Sequence, residues 1–154
     1  MTDAEFPDGG AEFLQRYIDD HGYLSWLGTQ VESIEHDRLV MTIPFDEKLT
    51  NTRSNGDDDT NSTIHGGIAA TLIDTAGGIV LRPALDDPMN EGVATINLNV
   101  NYLRPAAGDL TATAEVIRSG SSVGVSAVTV ESEAPDDEMT PVATGQGAYR
   151  LFRN

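Results

Sequence analysis

The sequence predicts an α+β domain in which antiparallel strands wrap one buried helix. Three observations lead there. Between Gly66 and Leu81 the residues Ile68, Ala69, Leu72, Ile73, Ala76, Ile79 and Val80 cover most of a helix circumference, and a helix that is apolar nearly all round is a buried one. Most of the remaining chain alternates apolar and polar residues with a period of two, as strands do. No repeat, low-complexity tract or linker divides the 154 residues, a length that suits one domain with a sizeable core. One sheet curled around a central helix is the economical way to bury that helix. The expectation is a single domain over residues 1–154, with residues 1–27 as an N-terminal helical segment.

In chain order, Phe13, Leu14, Tyr17 and Ile18 recur at helical spacing and predict a short amphipathic helix from Ala11 to about Asp20, stopped at Gly22. Tyr23, Leu24, Trp26 and Leu27 follow as an apolar patch packed under the core. Gln30–His36 and Arg38–Pro44 read as two strands joined at Asp37 by a tight hairpin. Phe45–Thr63 is a long polar loop, and long loops in compact domains are usually functional or disordered. The central helix over Gly66–Leu81 is halted by Pro83. In Val93–Leu103, Ile96, Leu98, Val100 and Tyr102 fall on one face and Asn97, Asn99 and Asn101 on the other. Leu110–Arg118, Val123–Glu131 and Val142–Phe152 complete five or six strands.

Composition narrows the function. Asp and Glu number 25 against nine Lys and Arg, a formal net charge of −16, and Lys48 is the only lysine. Nucleic acid and anionic membrane surfaces are poor partners for such a chain, because both need basic patches. Cysteine is absent, which removes disulfides, thiol nucleophiles and thiolate metal sites. Three scattered histidines make no transition-metal site, and no metal or cofactor is expected. The N-terminus MTDAEFPDGG shows no secretory signal. The most apolar segment is interrupted by Asp74 and is a poor membrane span, so a cytoplasmic location is expected. There is no Gly-x-Ser-x-Gly elbow, Gly-rich phosphate loop or dinucleotide fingerprint.

Asp74 is the lone carboxylate of the segment Ile64–Leu81. Burying an unpaired ionised carboxylate is strongly unfavourable, so one kept there has a close partner or a chemical use. His65-Gly66-Gly67 stands where a loop enters the same helix. The first-turn N–H groups lack intrahelical partners and favour anions, and glycines let a carbonyl come close. The segment is a candidate oxyanion hole. His65 and Asp74 are nine residues apart, two and a half turns, and so lie on opposite faces about 13 Å apart along the axis. They cannot act on one atom from one helix. If both are catalytic, Asp74 works with the helix start of a second copy, and a two-fold dimer would create two equivalent sites.

His65-Gly66-Gly67, Leu72-Ile73-Asp74-Thr75-Ala76 and the later Asn97–Arg104-Pro105 together resemble the hotdog-fold acyl-CoA thioesterases of the 4-hydroxybenzoyl-CoA thioesterase superfamily, in their phenylacetate-degradation (PaaI-type) branch. The resemblance spans roughly Leu27 to Phe152. It implies a long helix wrapped by an antiparallel sheet, a dimer or tetramer, and hydrolysis of acyl-CoA thioesters. On these positions it makes Asp74 the base that activates water, or the nucleophile, and the Gly66 N–H the group that polarises the thioester carbonyl. His65 and Gly67 hold the loop and the substrate, and Thr75 supports by packing and hydrogen bonding. Thr95 stands where the family often has a Ser or Thr that supports the water. Its parity groups it with Asn97, away from the helix, unless a bulge re-aims it.

This chain departs from the family in two places. The Asn usual shortly before His-Gly-Gly is replaced by Asp59, whose charge would repel an oxyanion. Asn51 is the preferred substitute, with Thr52–Asp59 as an insertion, and Asn61 is the other candidate. Basic residues expected after the Arg118 region are replaced by Ser119-Gly120-Ser121-Ser122, which leaves Arg104 as the choice for a CoA contact. A non-hydrolytic acyl-CoA binding or sensing module is the alternative reading. Enoyl-CoA hydration, which uses the same fold, needs a His/Asp or His/Glu arrangement not found here.

The acidity also makes a prediction about salt. Self-repulsion on this scale destabilises a compact state at low ionic strength, whereas at molar salt the Debye length is about 3 Å. A salt-adapted chain is expected to melt at progressively higher temperature as KCl is raised to molar levels. Equal stability in dilute buffer would contradict it.

Overall fold

The computed structural model describes residues 9–51, 62–133 and 138–154. Asn61 lies outside the described residues, as do the acidic run Asp57–Asp59 and its neighbours. The helices are α1 (Gly10–Asp20), α2 (Gly22–Trp26) and α3 (Gly66–Ile79), and the strands are β1 (Gln30–Ile34), β2 (Arg38–Ile43), β3 (Gly92–Tyr102), β4 (Leu110–Ser119), β5 (Val123–Glu133) and β6 (Met139–Phe152). The six strands form one antiparallel sheet in the order β1-β2-β4-β5-β6-β3. As expected, it wraps α3, which lies against β2 through β6.

Strand periodicity explains the wrapping. Along β2, β4 and β5 alternate residues turn inward, and Leu39, Met41, Ile43, Leu110, Ala112, Ala114, Val128 and Val130 are buried against α3. On β6 the inward face carries small residues where the helix comes nearest. A Cβ at Gly145 would stand 2.7 Å from both the Asn99 carbonyl oxygen and Ile73 Cγ2. Alanine there would force helix and strand apart, a type of overpacking that costs about 1–3 kcal/mol. The central strands therefore carry glycine because the helix sits directly on them.

Several expectations are corrected. Gly22 does not merely stop α1. The chain turns at His21, whose ring accepts a hydrogen bond from the Leu24 N–H, and Gly22 opens α2. Of the following apolar patch only Leu24 and Leu27 are buried, while Tyr23 and Trp26 are about half exposed. The Tyr23 hydroxyl meets Thr71 Oγ1, and Lys48 Nζ lies 4.5 Å from the Trp26 ring centre. Helix α3 ends at Ile79, and the buried Val80 and Leu81 lead into a 3-10 turn at Arg82–Ala84 whose middle residue is Pro83. Strand β6 begins earlier than expected, at Met139.

The largest correction concerns β3. Its ladder with β6 slips between Thr95 and Asn97, so that Thr95 opposes Tyr149 and Asn97 opposes Ala148. Ile96 is the extra residue of a β-bulge, and it is 58% exposed rather than turned inward. Before the bulge Val93 and Thr95 face α3. After it Leu98 and Val100 do, with Val93, Leu98 and Val100 packed on the core.

Candidate active site

Helix α3 presents two chemically different faces. At its start, His65 caps the helix, its Nδ1 accepting from the Gly67 N–H at 2.9 Å. That bond places the ring so close that a Cβ on Gly67 would meet it at 2.9 Å. The Gly66 N–H makes no hydrogen bond to any described residue, so an unpaired donor stands at the positive end of the helix. Tyr102, which sequence reasoning did not assign to the site, closes over Gly66. Its hydroxyl donates to the Gly66 carbonyl at 3.0 Å, and a Cβ on Gly66 would lie 3.0 Å from its ring. The position thus needs glycine for packing under the Tyr102 ring.

Asn51 reaches the same place through the backbone. The Thr50–Ile64 bridge, the bond from the Asn51 N–H to the Thr63 carbonyl at 2.9 Å and that from the His65 N–H to the Leu49 carbonyl at 2.8 Å stitch the two segments together. Whatever separates them in sequence, residue 51 is held beside the helix start. The Asn51 side chain donates to Thr63 Oγ1. Asn51, His65, Gly66, Tyr102 and Arg104 line one cavity of about 430 Å³. Arg104 is fixed there by a 2.8 Å bond from Nη1 to the Pro141 carbonyl. Arg150 and Arg153 are engaged elsewhere, donating to carbonyls of the Gly120–Ser122 turn.

Asp74 opens on the other side. It is half-buried rather than enclosed in this single chain, and its partner is Thr95. The bulge turns the Thr95 hydroxyl toward the helix, where it donates to Asp74 Oδ1 at 2.7 Å. Strand parity alone had set Thr95 aside. Beneath them the buried Tyr149 donates to the Asp74 backbone carbonyl at 3.0 Å. Burial, and secondarily the charge of Asp74, raises the phenol pKa well above its usual value, so Tyr149 is a fixed neutral donor. Asp74, Thr75, Gly78, Ile79, Arg82, Val93, Thr95 and Tyr149 line a second cavity of about 260 Å³, covered by Tyr17 and Leu24 from α1 and α2. Tyr17, Arg82 and Tyr149 were not singled out from sequence.

The structure therefore groups the predicted residues in two sets. His65, Gly66, Asn51 and Arg104 share one cavity, and Asp74, Thr75 and Thr95 share the other. The two cavities have no lining residue in common. Among the described residues no cluster of His, Asp and Glu could hold a metal ion, and no helix is long and apolar enough to cross a membrane.

Comparison with known proteins agrees with this architecture. The sequence profile described as the thioesterase superfamily matches residues 61–138. A Halobacterium salinarum protein provisionally named an esterase is 52% identical over 149 residues, which cover 96% of this chain and 95% of that one. Its source supports reading the acidic composition as salt adaptation. The medium/long-chain acyl-CoA thioesterase YigI of Escherichia coli is 33% identical over 102 residues, 58% of this chain and 63% of YigI. Two solved structures share the fold. A thioesterase family protein from Silicibacter pomeroyi has a TM-score of 0.76 at 22% identity, over 94% of this chain and 98% of that one. A thioesterase from Haemophilus influenzae has a TM-score of 0.74 at 20% identity, over 93% and 90%. The chain, with its single helix wrapped by an antiparallel sheet, belongs to the thioesterase superfamily and has the hotdog fold.

Proposed function

We propose that the protein hydrolyses acyl-CoA thioesters at sites completed by two copies of the chain. The observation that carries this reading is the separation of the two halves. An unpaired amide at the start of α3 and a Thr-held carboxylate further along the same helix open into different cavities. Neither half suffices alone. A two-fold partner with its α3 antiparallel brings Asp74 of one copy to the Gly66 amide of the other. Strand β3 offers the seam. It is an edge strand of eleven residues with Ile96 and Tyr102 exposed on it, and an exposed apolar edge is a template for pairing with another chain.

In this site the Gly66 N–H, aided by the helix dipole, takes the thioester carbonyl oxygen. Asp74, oriented by Thr95, holds a water. The water oxygen adds to the carbonyl carbon as its proton passes to Asp74. Collapse of the tetrahedral intermediate breaks the C–S bond, and the proton returns to the leaving sulfur. The products are the free acid and the CoA thiol. His65 holds the loop, Asn51 stands beside the carbonyl oxygen or the water, and Arg104 lies on the CoA side of the carbonyl. No metal or cofactor enters the reaction.

Subunit complementation tests the shared site. Asp74→Asn alone is expected to lose about 10²- to 10⁴-fold in turnover, the usual weight of a general base, and His65→Ala is expected to be strongly impaired. Co-expressed so that subunits pair at random, the two variants should recover about a quarter of wild-type turnover, because about half the dimers are mixed and each mixed dimer has one intact site. A mixture no more active than its parts would contradict a shared site. Acyl-CoA binding by the wild type without thiol release would contradict hydrolysis itself.

Thr95→Val tests the bulge. Loss of a hydrogen bond to a charged group, about 1.5–3 kcal/mol, predicts a fall in kcat of roughly ten- to a hundredfold with little change in KM or melting temperature. Unchanged kcat would remove Thr95 from the chemistry.

A further inference from the structure

The cavity beyond Asp74 has a direction. Asp74, Gly78 and Arg82 are spaced i, i+4 and i+8, so they stack along one side of α3 and its continuation, about 12 Å from first to last. All three line the same 260 Å³ cavity. The carboxylate stands at one end and a guanidinium at the other. Gly78 lies between them and projects no side chain into the trough, whose sheet wall is Val93 and Tyr149.

Arg82 is only partly accounted for by the fold. Its Nη1 donates to the Pro88 carbonyl at 3.0 Å and the Glu91 carbonyl at 3.1 Å, fastening the loop after α3. No hydrogen bond joins Nε or Nη2 to a described residue, and no carboxylate among the described residues pairs with the guanidinium. Burial lowers the Arg82 pKa, with Tyr17 acting in the opposite sense. In a chain of net charge −16, acidic partners are plentiful, yet this cation pairs with none among the described residues. The free Nε/Nη2 edge is the side of the fork that receives a carboxylate in bidentate fashion.

We propose that the Asp74 cavity is an acyl pocket selective for short acyl groups ending in a carboxylate, which Arg82 receives at the far end. This rests on the assignment of Asp74 to the water-activating step, since that places the thioester at the near end. At about 260 Å³ the pocket is below the usual range for drug-sized ligands, which suits a short dicarboxylic acyl chain. Arg82 is the specificity-determining residue and Gly78 keeps the passage open.

Kinetics in molar KCl on three acyl-CoAs of equal chain length test this: adipoyl-CoA, 6-hydroxyhexanoyl-CoA and hexanoyl-CoA. The wild type is expected to favour adipoyl- over hexanoyl-CoA at least tenfold in kcat/KM, with 6-hydroxyhexanoyl-CoA between them. Arg82→Met should abolish the adipoyl preference, chiefly through KM. Should that variant fail to fold, the wild-type ratio decides, together with protection of the wild type against thermal unfolding by adipate but not hexanoate. Hexanoyl- or hydroxyhexanoyl-CoA hydrolysed as well as or better than adipoyl-CoA would overturn the carboxylate pocket while leaving thioester hydrolysis standing. A preference retained in folded Arg82→Met would overturn the role of Arg82. If no acyl-CoA is hydrolysed, both this inference and the proposed function fall.

Discussion

The packing of helix α3 against the sheet is uneven: one face is buried and the opposite face is only partly covered. Five strands close over the face of Leu72, Ile73 and Ala76, which are fully buried. The face of Asp74, Thr75 and Gly78 remains half-open beneath Tyr17 and Leu24. Close packing on the first face depends on glycine at Gly145, where helix and strand leave no room for a methyl group. The helix start and Asp74 ride on this one rigid element, so no rotation of it changes the distance between them. In the proposed assembly this constraint turns a geometric obstacle into a composite site, because what one helix cannot do alone two antiparallel helices can.

The bulge at Ile96 couples the sheet to the candidate site. An edge strand of unbroken alternation that buries Leu98 and Val100 would turn Thr95 away from the helix. One extra residue lets Thr95 reach Asp74 while Leu98 and Val100 keep their places in the core. The same device leaves Ile96 on the outside, next to the edge proposed for pairing. Bulges are found often at sheet edges and beside active sites, where they re-aim a side chain.

Much of this was legible in the residues. The all-round apolar pattern marked the buried helix, period-two alternation marked five or six strands where the sheet has six, and the nine-residue interval between His65 and Asp74 set them on opposite faces of the helix, where they line different cavities. Asn51 was favoured over Asp59 on charge grounds, and the backbone stitching of residues 49–51 to 63–65 places it in the Gly66 cavity. The bulge was not legible, since alternation records which face a residue occupies only while the register is unbroken, and the break depends on how β3 meets β6. Tyr102 over Gly66, and Tyr17 and Arg82 around the Asp74 cavity, come from contacts distant in sequence. Tyr23 and Trp26 were misplaced because apolar character alone does not distinguish a core residue from one that shields Thr71 or stacks under Lys48.

A crystal structure of the assembled protein bearing a non-hydrolysable ketone analogue of an acyl-CoA, with a methylene in place of the thioester sulfur, measures the central relation directly. A shared site puts the analogue's carbonyl oxygen about 3 Å from the Gly66 nitrogen of one subunit. The Asp74 carboxylate of the other should stand within one water of the same carbonyl carbon. An Asp74 carboxylate facing bulk solvent, or an analogue held wholly within one subunit, would contradict it.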